Sequence, residues 1–256
     1  MQSKWYKKYL DGKDPREYKG DRVARYDVFR SLINGDSKDM KILDIGSGVG
    51  DFLWDLKQSG WTNAAGYDVS EVASDFARRR GLQIYTGDLN HEDELMSLGN
   101  DYDLIVMGDV IEHIFAPKRA LLTVRKLLKN HGRLLVSVPN AGWFMNGILL
   151  SFLPKYYRLS NAFGSWTHVN QYTFWLMLRQ LKSCGFQIEK SLGVTDLCFP
   201  HRSRGLRNIP YIFLDIVFRI SGLLARINPD LFSQEIIILA RNDDTLHIDD
   251  DYFRED

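Results

Sequence analysis

The feature that most constrains the fold of this chain is a regular alternation of short apolar segments with amphipathic ones, which begins at Met40. Such alternation is typical of βαβ units, whose strands lie parallel in one sheet. The predicted strands are Lys41–Ile45, Ala64–Asp68, Gln83–Tyr85, Leu104–Met107, Arg133–Val138, Gln187–Ser191 and Glu235–Ala240. The predicted helices between them are Phe52–Ser59, Glu71–Arg80, Glu92–Leu98, Pro117–Lys129 and Thr173–Cys184. The sequence therefore predicts an α/β, Rossmann-like fold with a seven-stranded, mostly parallel sheet and helices on both faces.

The length of 256 residues favours one elaborated domain over two. Residues 1–39 precede the first strand and are predicted to form an N-terminal helical cap. Two insertions interrupt the alternation, at 140–172 and 193–232, and we expect them to form a lid or substrate region. The acidic residues 243–256 are predicted to form a disordered tail.

Composition excludes some partners. The 33 Lys and Arg residues balance 33 Asp and Glu residues, so no global field attracts nucleic acid. The cysteines Cys184 and Cys198 have no metal or redox spacing, and the N-terminal residues have no apolar leader, which together favour a cytoplasmic location. The longest apolar stretch, Ile209–Leu224, contains Asp215 and Arg219, so no transmembrane segment is predicted.

A glycine-rich turn at Leu43–Phe52 carries the main functional signal. It follows a strand and opens a helix, and its alternating glycines allow a ligand to approach the backbone and the helix N–H groups. Asp68 ends the next strand, 24 residues after Asp44, where an acid can bind both hydroxyls of a ribose. The alternative is a structural turn of the kind found in any α/β protein.

These residues resemble the class I S-adenosylmethionine-dependent methyltransferases. Their first motif is similar to Leu43–Gly50 and their second to Asp68. Gly87–Leu89 looks like the adenine-contacting motif and Tyr102–His113 like the fourth motif, so the resemblance covers about Met40–Pro139. The last two strands also fit the family's reversed hairpin at the edge of the sheet. The Glu112–His113 pair is most similar to small-molecule O-methyltransferases.

The resemblance implies a site for S-adenosylmethionine, with S-adenosylhomocysteine as product. Residue by residue, it implies Asp44, Gly46, Ser47, Gly48 and Gly50 at the methionine part, Asp68 at the ribose with Val69 beside it, Asp88 and Leu89 at the adenine, and Gly108 near the methyl group. A basic or aromatic residue upstream of the first strand often closes over the cofactor carboxylate in this family. Arg22 and Arg25 are the candidates, and the alternative is that both lie on a solvated helix face.

The acceptor chemistry gives three candidate catalytic residues. An alcohol or phenol must lose a proton before or during methyl transfer, and a histidine near neutrality accepts it well. His113 follows the fourth strand and His168 precedes the helix that Thr173 caps, and each has a packing role as its alternative. Asp109 could act as base or belong to the cofactor shell. No single base is assigned.

The insertions suggest an acceptor such as a sugar, a lipid-linked glycan or a quinone-like molecule. They are apolar, which fits a lid over a lipid-linked acceptor, peripheral membrane contact, or extra core with a homodimer face. The segment His201–Arg207 carries three arginines that could meet phosphate or form a solvated loop. The apolar residues are Trp143, Phe144, Met145, Ile148, Leu149, Phe152 and Leu153, then Tyr211, Phe213, Leu214, Val217, Phe218, Leu223 and Leu224.

Other classes fit less well. A nicotinamide-dependent oxidoreductase would carry a G-x-G-x-x-G turn, which is absent, and the Tyr9-to-Lys13 pattern lies upstream of the first strand. A nucleic-acid amino-methyltransferase would carry an Asn/Asp-Pro-Pro turn where Gly108–Val110 stands. No paired acids with an amide suggest magnesium, so no metal is predicted. A catalytically inactive cofactor-binding scaffold or regulatory subunit remains the alternative from another class.

Overall fold

The computed structural model describes residues 2–18, 24–152, 167–195, 220–246 and 248. The strands are β1 Ile42–Ile45, β2 Ala64–Asp68, β3 Gln83–Thr86, β4 Tyr102–Gly108, β5 Leu128–Pro139, β6 Phe186–Val194 and β7 Glu235–Asn242. The helices are α1 Gln2–Tyr9, α2 Ala24–Ile33, α3 Asp51–Gln58, α4 Glu71–Arg79, α5 Glu92–Met96, α6 Pro117–Leu127, α7 Phe144–Phe152, α8 Phe174–Ser183 and α9 Pro229–Phe232, with a 3-10 turn at Ile111–His113.

The strands form one sheet in the order β3-β2-β1-β4-β5-β7-β6. All neighbouring pairs from β3 to β5 are parallel, whereas β7 runs antiparallel to both β5 and β6. This confirms the predicted Rossmann-like sheet with a reversed hairpin at one edge, and it identifies β7, inserted between β5 and β6, as the reversed strand. The chain reverses its direction of strand addition at β1, between β2 and β4, and ligands of open α/β sheets bind at the carboxyl edge of such a point.

Two apolar layers cover the sheet because side chains alternate across each strand. On β4, Leu104 and Val106 join a core with α2 and α3, whereas Ile105 and Met107 join a core with α5, α6 and α8. All four side chains are at most 1% exposed. Burial of both faces makes the register of the strands, and so the relative height of their carboxyl ends, well determined.

Helix α6 ends earlier than the pattern predicts. The predicted helix Pro117–Lys129 stops at Leu127, because Leu128 adopts an extended conformation and pairs with Tyr102 in the sheet. Both side chains are buried. Burial at the edge of the core therefore outweighs the helical propensity of the last turn.

The N-terminal residues contain α1 and α2, and α1 packs on α4. Of the two insertions, the structure describes 140–152, 167–172, 193–195 and 220–232. Leu153, the arginine segment 201–207, the apolar residues 211–218 and most of the acidic tail lie outside the described residues. The division into cap, insertions and tail stays a prediction. No helix in the described part of the chain is both long and apolar enough to cross a membrane.

Candidate cofactor and acceptor site

The turn between β1 and α3 has the backbone conformation that its glycines predict. Gly46, Gly48 and Gly50 all have positive φ, at 76°, 54° and 78°. Left-handed backbone costs other L-residues about 1–2 kcal/mol each, so glycine is the natural residue here. A Cβ on Gly46 would also lie 2.3 Å from Cγ2 of Val110, which follows β4. The turn is thus packed closely against the neighbouring strand end.

Asp68 holds this turn in place. The N–H of Gly48 donates to one of its carboxylate oxygens at 2.8 Å, and the N–H of Ser70 donates to the other at 2.8 Å. Burial raises the pKa of Asp68, while the two backbone hydrogen bonds act against that rise. Each carboxylate oxygen has a further lone pair with which to accept a hydrogen bond from a ligand. Asp68 therefore connects the strand end, the glycine turn and the space above them.

A cavity of about 400 Å³ lies along the carboxyl edge of the sheet. This volume is in the range of sites for small molecules. It begins beside the segment after β3, crosses the ends of β1 and β2, and reaches the segment after β4. It is lined by Tyr6, Ile45, Gly46, Tyr67, Asp68, Val69, Gly87, Asp88, Leu89, Asn90, Asp109, Val110, His113 and Ile114.

The sequence-predicted cofactor residues fall into two sets. Gly46, Asp68, Val69, Asp88 and Leu89 line the cavity. Asp44, Ser47, Gly48 and Gly50 are not among the lining residues. Asp44 is 6% exposed, and burial followed by the charge of Asp68 raises its pKa to about 8. Ser47, Gly48 and Gly50 belong to the turn.

The resemblance implies that Gly108 lies near the methyl group, but Gly108 itself does not line the cavity. A Cβ at this position would meet the ring of Phe29 on α2 at 3.3 Å, and Gly108 is not among the lining residues. Its successors Asp109 and Val110 line the cavity instead. The close approach of α2 is the physical reason for a glycine at the end of β4.

The upstream residue that reaches the cavity is aromatic. Tyr6 of α1 lines it, and its hydroxyl would lie 2.7 Å from a Cβ on Gly48. Tyr6 was not predicted, since only Arg22 and Arg25 were named for this role, although an aromatic residue also suits it and α1 contains three of them. Arg22 lies outside the described residues.

Arg25, the other predicted cation, forms ion pairs with two acidic side chains. It forms an ion pair with Asp109 and contacts Oε1 of Glu235 at 3.3 Å. Ser137 donates to the other oxygen of Asp109 at 3.2 Å. Glu235 is 4% exposed, and burial followed by the charge of Asp109 raises its pKa to about 8. These contacts favour a role for Arg25 in shaping the site rather than in binding a cofactor carboxylate.

Two histidines and a glutamate meet beyond the end of β4. The rings of His113 and His168 lie 4.7 Å apart at a steep angle. Oε1 of Glu112 is 3.9 Å from Nε2 of each histidine, and Glu112 is 2% exposed. Burial, followed by the charge of Asp109, raises the pKa of Glu112 well above its usual range. The sequence placed both histidines at the acceptor side but gave no sign that Glu112 lies between them.

The cavity fits the adenosyl cofactor that the motifs imply. Its walls combine an acid at the end of β2, apolar side chains after β3 and a glycine turn that leaves room for a ligand. Asp68, Val69 and Leu89 line the part of the cavity that the motifs relate to the ribose and the adenine. Asp109, Val110 and His113 line its other end.

Comparison with known proteins agrees with this description. The family model described as "Methyltransferase domain" matches residues 17–191. A crystal structure of an S-adenosylmethionine-dependent methyltransferase from Archaeoglobus fulgidus superposes with a TM-score of 0.60 at 17% identity, covering 93% of this chain and 98% of that one. At that identity the likeness concerns the fold.

Two curated relatives match shorter segments. A ubiquinone biosynthesis O-methyltransferase of Dinoroseobacter shibae is 33% identical over 109 residues, which are 40% of this chain and 42% of that protein. A highly reducing polyketide synthase of Pyricularia oryzae is 27% identical over 146 residues, which are 50% of this chain and 5% of that protein. The chain thus spans less than half the length of either relative.

Proposed function

Because this chain belongs to the methyltransferase-domain family, within the class I S-adenosylmethionine-dependent methyltransferases, we propose that it transfers the methyl group of S-adenosylmethionine to an oxygen of a small-molecule acceptor. The observation that carries the choice of oxygen is the imidazole of His113, which lines the cavity and has the ring of His168 packed 4.7 Å behind it. The matching segment of a ubiquinone biosynthesis O-methyltransferase supports it.

The residues of the turn and the strand ends hold the cofactor. Asp68 would accept hydrogen bonds from the ribose hydroxyls, and Leu89 would contact the adenine. Burial raises the pKa of Asp44, and a cationic ammonium group bound near it would favour its charged form. When bound, S-adenosylmethionine supplies a methyl carbon whose bond to sulfur breaks, with its electron pair, as the bond to the acceptor oxygen forms.

The acceptor side positions an oxygen and removes its proton. Asp109 has both carboxylate oxygens engaged, by Arg25 and by Ser137, so it serves better to shape this side than to act as base. Asp109 also has a φ of 54°, a strained conformation for a residue other than glycine, and it lines the cavity. His113, which lines the cavity, is then the side chain nearest to an incoming hydroxyl, and His168 contacts its ring.

We expect the His113→Ala and His168→Ala variants each to lose about 100-fold or more in turnover, because the acceptor hydroxyl is left without the group that promotes loss of its proton. Affinity for S-adenosylhomocysteine should stay within about threefold of wild type, since neither ring forms the cofactor-binding half. Transfer of an isotope-labelled methyl group to a panel of sugars, phenols and quinols measures the turnover, and calorimetry measures the affinity.

His91→Ala is the matched control, because His91 is exposed and its ion pair in the described part of the chain is with the nearby Glu94. Its turnover should equal that of wild type. Full turnover in both site variants would contradict the assignment of the imidazoles. Methyl label recovered on nitrogen or carbon of the acceptor would contradict O-methylation.

The acceptor itself is proposed only as a class. A lipid-linked acceptor, peripheral membrane contact and a homodimer face rest on the apolar insertions, most of whose residues lie outside the described part of the chain. In that part, Ile148, Leu223 and Ile227 are exposed, at 39%, 63% and 81%. The lipid-linked acceptor, the membrane contact and the homodimer face therefore remain predictions.

A further inference from the structure

The group formed by Glu112, His113 and His168 has the composition of a metal site. One carboxylate oxygen and one ring nitrogen from each histidine all lie within 4.8 Å of one another. The two distances from Oε1 of Glu112 to the histidine Nε2 atoms are both 3.9 Å, too long for hydrogen bonds. The three groups therefore converge on a common space without bonding directly across it.

Glu112 supplies the second observation. Its side chain is 2% exposed, and among the described residues neither carboxylate oxygen has a hydrogen-bond partner. A buried carboxylate without hydrogen bonds or a counter-ion is strongly destabilising. The charge of the neighbouring Arg25 acts on Glu112 from a distance, while Arg25 forms ion pairs with Asp109 and Glu235. A cation between Glu112 and the histidines would supply the missing partner.

The hydrogen bonds around the group prepare His113 as a ligand. Its Nδ1 lies 2.9 Å from the carbonyl oxygen of Thr167, which can only accept, so Nδ1 carries the proton. The Nε2 atom of the neutral ring then presents a lone pair toward Glu112. Metal-binding histidines commonly donate their other N–H to a backbone carbonyl in this way, which fixes the ring and its tautomer.

The segment that carries His168 is hydrogen-bonded to the 3-10 turn. The N–H groups of Val169 and Asn170 donate to the backbone carbonyl of Glu112 at 2.9 and 3.0 Å. The side-chain amide of Asn170 donates to the carbonyl of Ile114 at 2.6 Å. These bonds hold the two segments together although they are more than 50 residues apart in sequence. The ligand set is thus preorganised by the backbone.

The donor set selects a class of ion. Two imidazoles and one carboxylate suit Zn²⁺ and similar divalent transition metals, whereas Mg²⁺ and Ca²⁺ prefer oxygen ligands alone. Zinc bonds of 2.0–2.2 Å give tetrahedral ligands about 3.4 Å apart. The two 3.9 Å separations from Glu112 require an approach of about half an ångström, and ligand atoms that lie up to 4.8 Å apart require more. Three protein ligands leave a fourth position open, as in catalytic zinc sites.

We propose that Glu112, His113 and His168 bind a divalent transition-metal cation of the zinc type, and that its open position takes the oxygen of the methyl acceptor. The second part rests on the proposed function. The proposal replaces the sequence-based expectation of no metal, and it makes the histidines ligands rather than bases.

His113 also lines the cofactor cavity, so the cation would lie at the border where methyl transfer is proposed. A hydroxyl bound to the cation loses its proton to water more readily, because the positive charge stabilises the oxyanion. That oxygen then forms its bond to the methyl carbon while the carbon–sulfur bond breaks and its electron pair stays on sulfur. Acceptors should therefore be oxygen nucleophiles that can coordinate a metal.

The test is a calorimetric titration of the untagged, chelator-treated chain with Zn²⁺ alone. We expect one equivalent to bind, and we expect Glu112→Gln and His168→Ala each to weaken that binding by about 100-fold or more. Co²⁺ bound in place of Zn²⁺ should give visible absorption bands that the Glu112→Gln variant lacks. The exposed pair formed by His91 and Glu94 provides the matched control, so His91→Ala should bind Zn²⁺ as wild type does.

Each variant must bind S-adenosylhomocysteine with wild-type affinity, which shows that it is folded. Absence of one-equivalent binding by wild type, or equal Zn²⁺ affinity in folded Glu112→Gln, would overturn the proposal. Failure of the proposed function is distinguishable, because it would appear as Zn²⁺ binding at this site without methyl transfer to oxygen. Methyl transfer that persists in excess chelator would overturn the metal's part and leave the proposed function intact.

Discussion

The Asp68→Ala variant should lose at least about 100-fold of its affinity for S-adenosylhomocysteine, because hydrogen bonds to a buried charged group contribute roughly 1.5–3 kcal/mol each. The substitution removes the acceptor for the ribose hydroxyls. It also releases the N–H groups of Gly48 and Ser70, each bonded to this carboxylate at 2.8 Å. Both effects act on the same turn, so we expect calorimetry of the folded variant to detect little or no binding.

Two further variants separate these effects. Asp75→Ala removes a half-exposed acid of α4 whose ion pair within the described residues is with Arg79, and it should bind as wild type does. Asp68→Asn keeps one oxygen that can accept a backbone N–H, so it should retain more of the fold's stability than Asp68→Ala while still binding weakly. Unchanged affinity of Asp68→Ala for S-adenosylhomocysteine would contradict the assignment of Asp68 to the ribose site.

The Gly46→Ala variant should lose cofactor binding for a different reason. Its backbone has a φ of 76°, and the added methyl group would lie 2.3 Å from Cγ2 of Val110. The turn and the segment after β4 must therefore move apart, which displaces two walls of the cavity. We expect affinity for S-adenosylhomocysteine to fall by at least about 100-fold, since a misplaced wall weakens every contact made across it.

Gly81→Ala is the matched control for backbone strain. Gly81 has a φ of 77°, nearly the same as Gly46, but an added Cβ there has no neighbour within 4 Å. Both variants should lose about 1–2 kcal/mol of unfolding free energy through the left-handed backbone. Only Gly46→Ala should also lose binding. Equal affinities in the two variants would show that the close approach of Val110 is unimportant to the site.

The sequence predicted the parts of the site that depend on the succession of neighbouring strands and turns along the chain. The turn at Gly46–Gly50 and the acid at Asp68 lie at the ends of consecutive parallel strands, so any sheet that pairs β1 with β2 brings them together. The same argument covers Asp88 and Leu89 after β3, which pairs with β2. Motif spacing and strand pairing therefore suffice for this half of the cavity.

The rest depends on packing that no local pattern specifies. Glu112 meets His168 because backbone N–H groups of Val169 and Asn170 bond to its carbonyl, a contact between segments separated by α6 and β5. Tyr6 reaches the cavity because α1 lies on α4, which the polarity of the N-terminal residues does not reveal. Tertiary contacts of this kind are set by the whole core rather than by sequence neighbours.

Ion pairs within the protein also argue against the role predicted for Arg25. The sequence offered Arg25 as a cation for a ligand carboxylate, but burial of Glu235 beside Asp109 gives it two acidic partners within the protein. Charged side chains that are buried as deeply as Glu235 are nearly always paired. Whether a cation faces a ligand or a neighbouring acid therefore depends on which carboxylates the fold buries next to it.

Binding of the product tests the central claim most directly. Calorimetry and thermal unfolding of the purified chain with S-adenosylmethionine, S-adenosylhomocysteine and NAD separate the methyltransferase site from a nicotinamide site. The two adenosyl compounds should bind at one site per chain and raise the midpoint of unfolding by several degrees, since a ligand at 100 times its Kd adds about 2.7 kcal/mol. NAD should do neither. Stabilisation by NAD alone, or by none of the three compounds, would contradict the account.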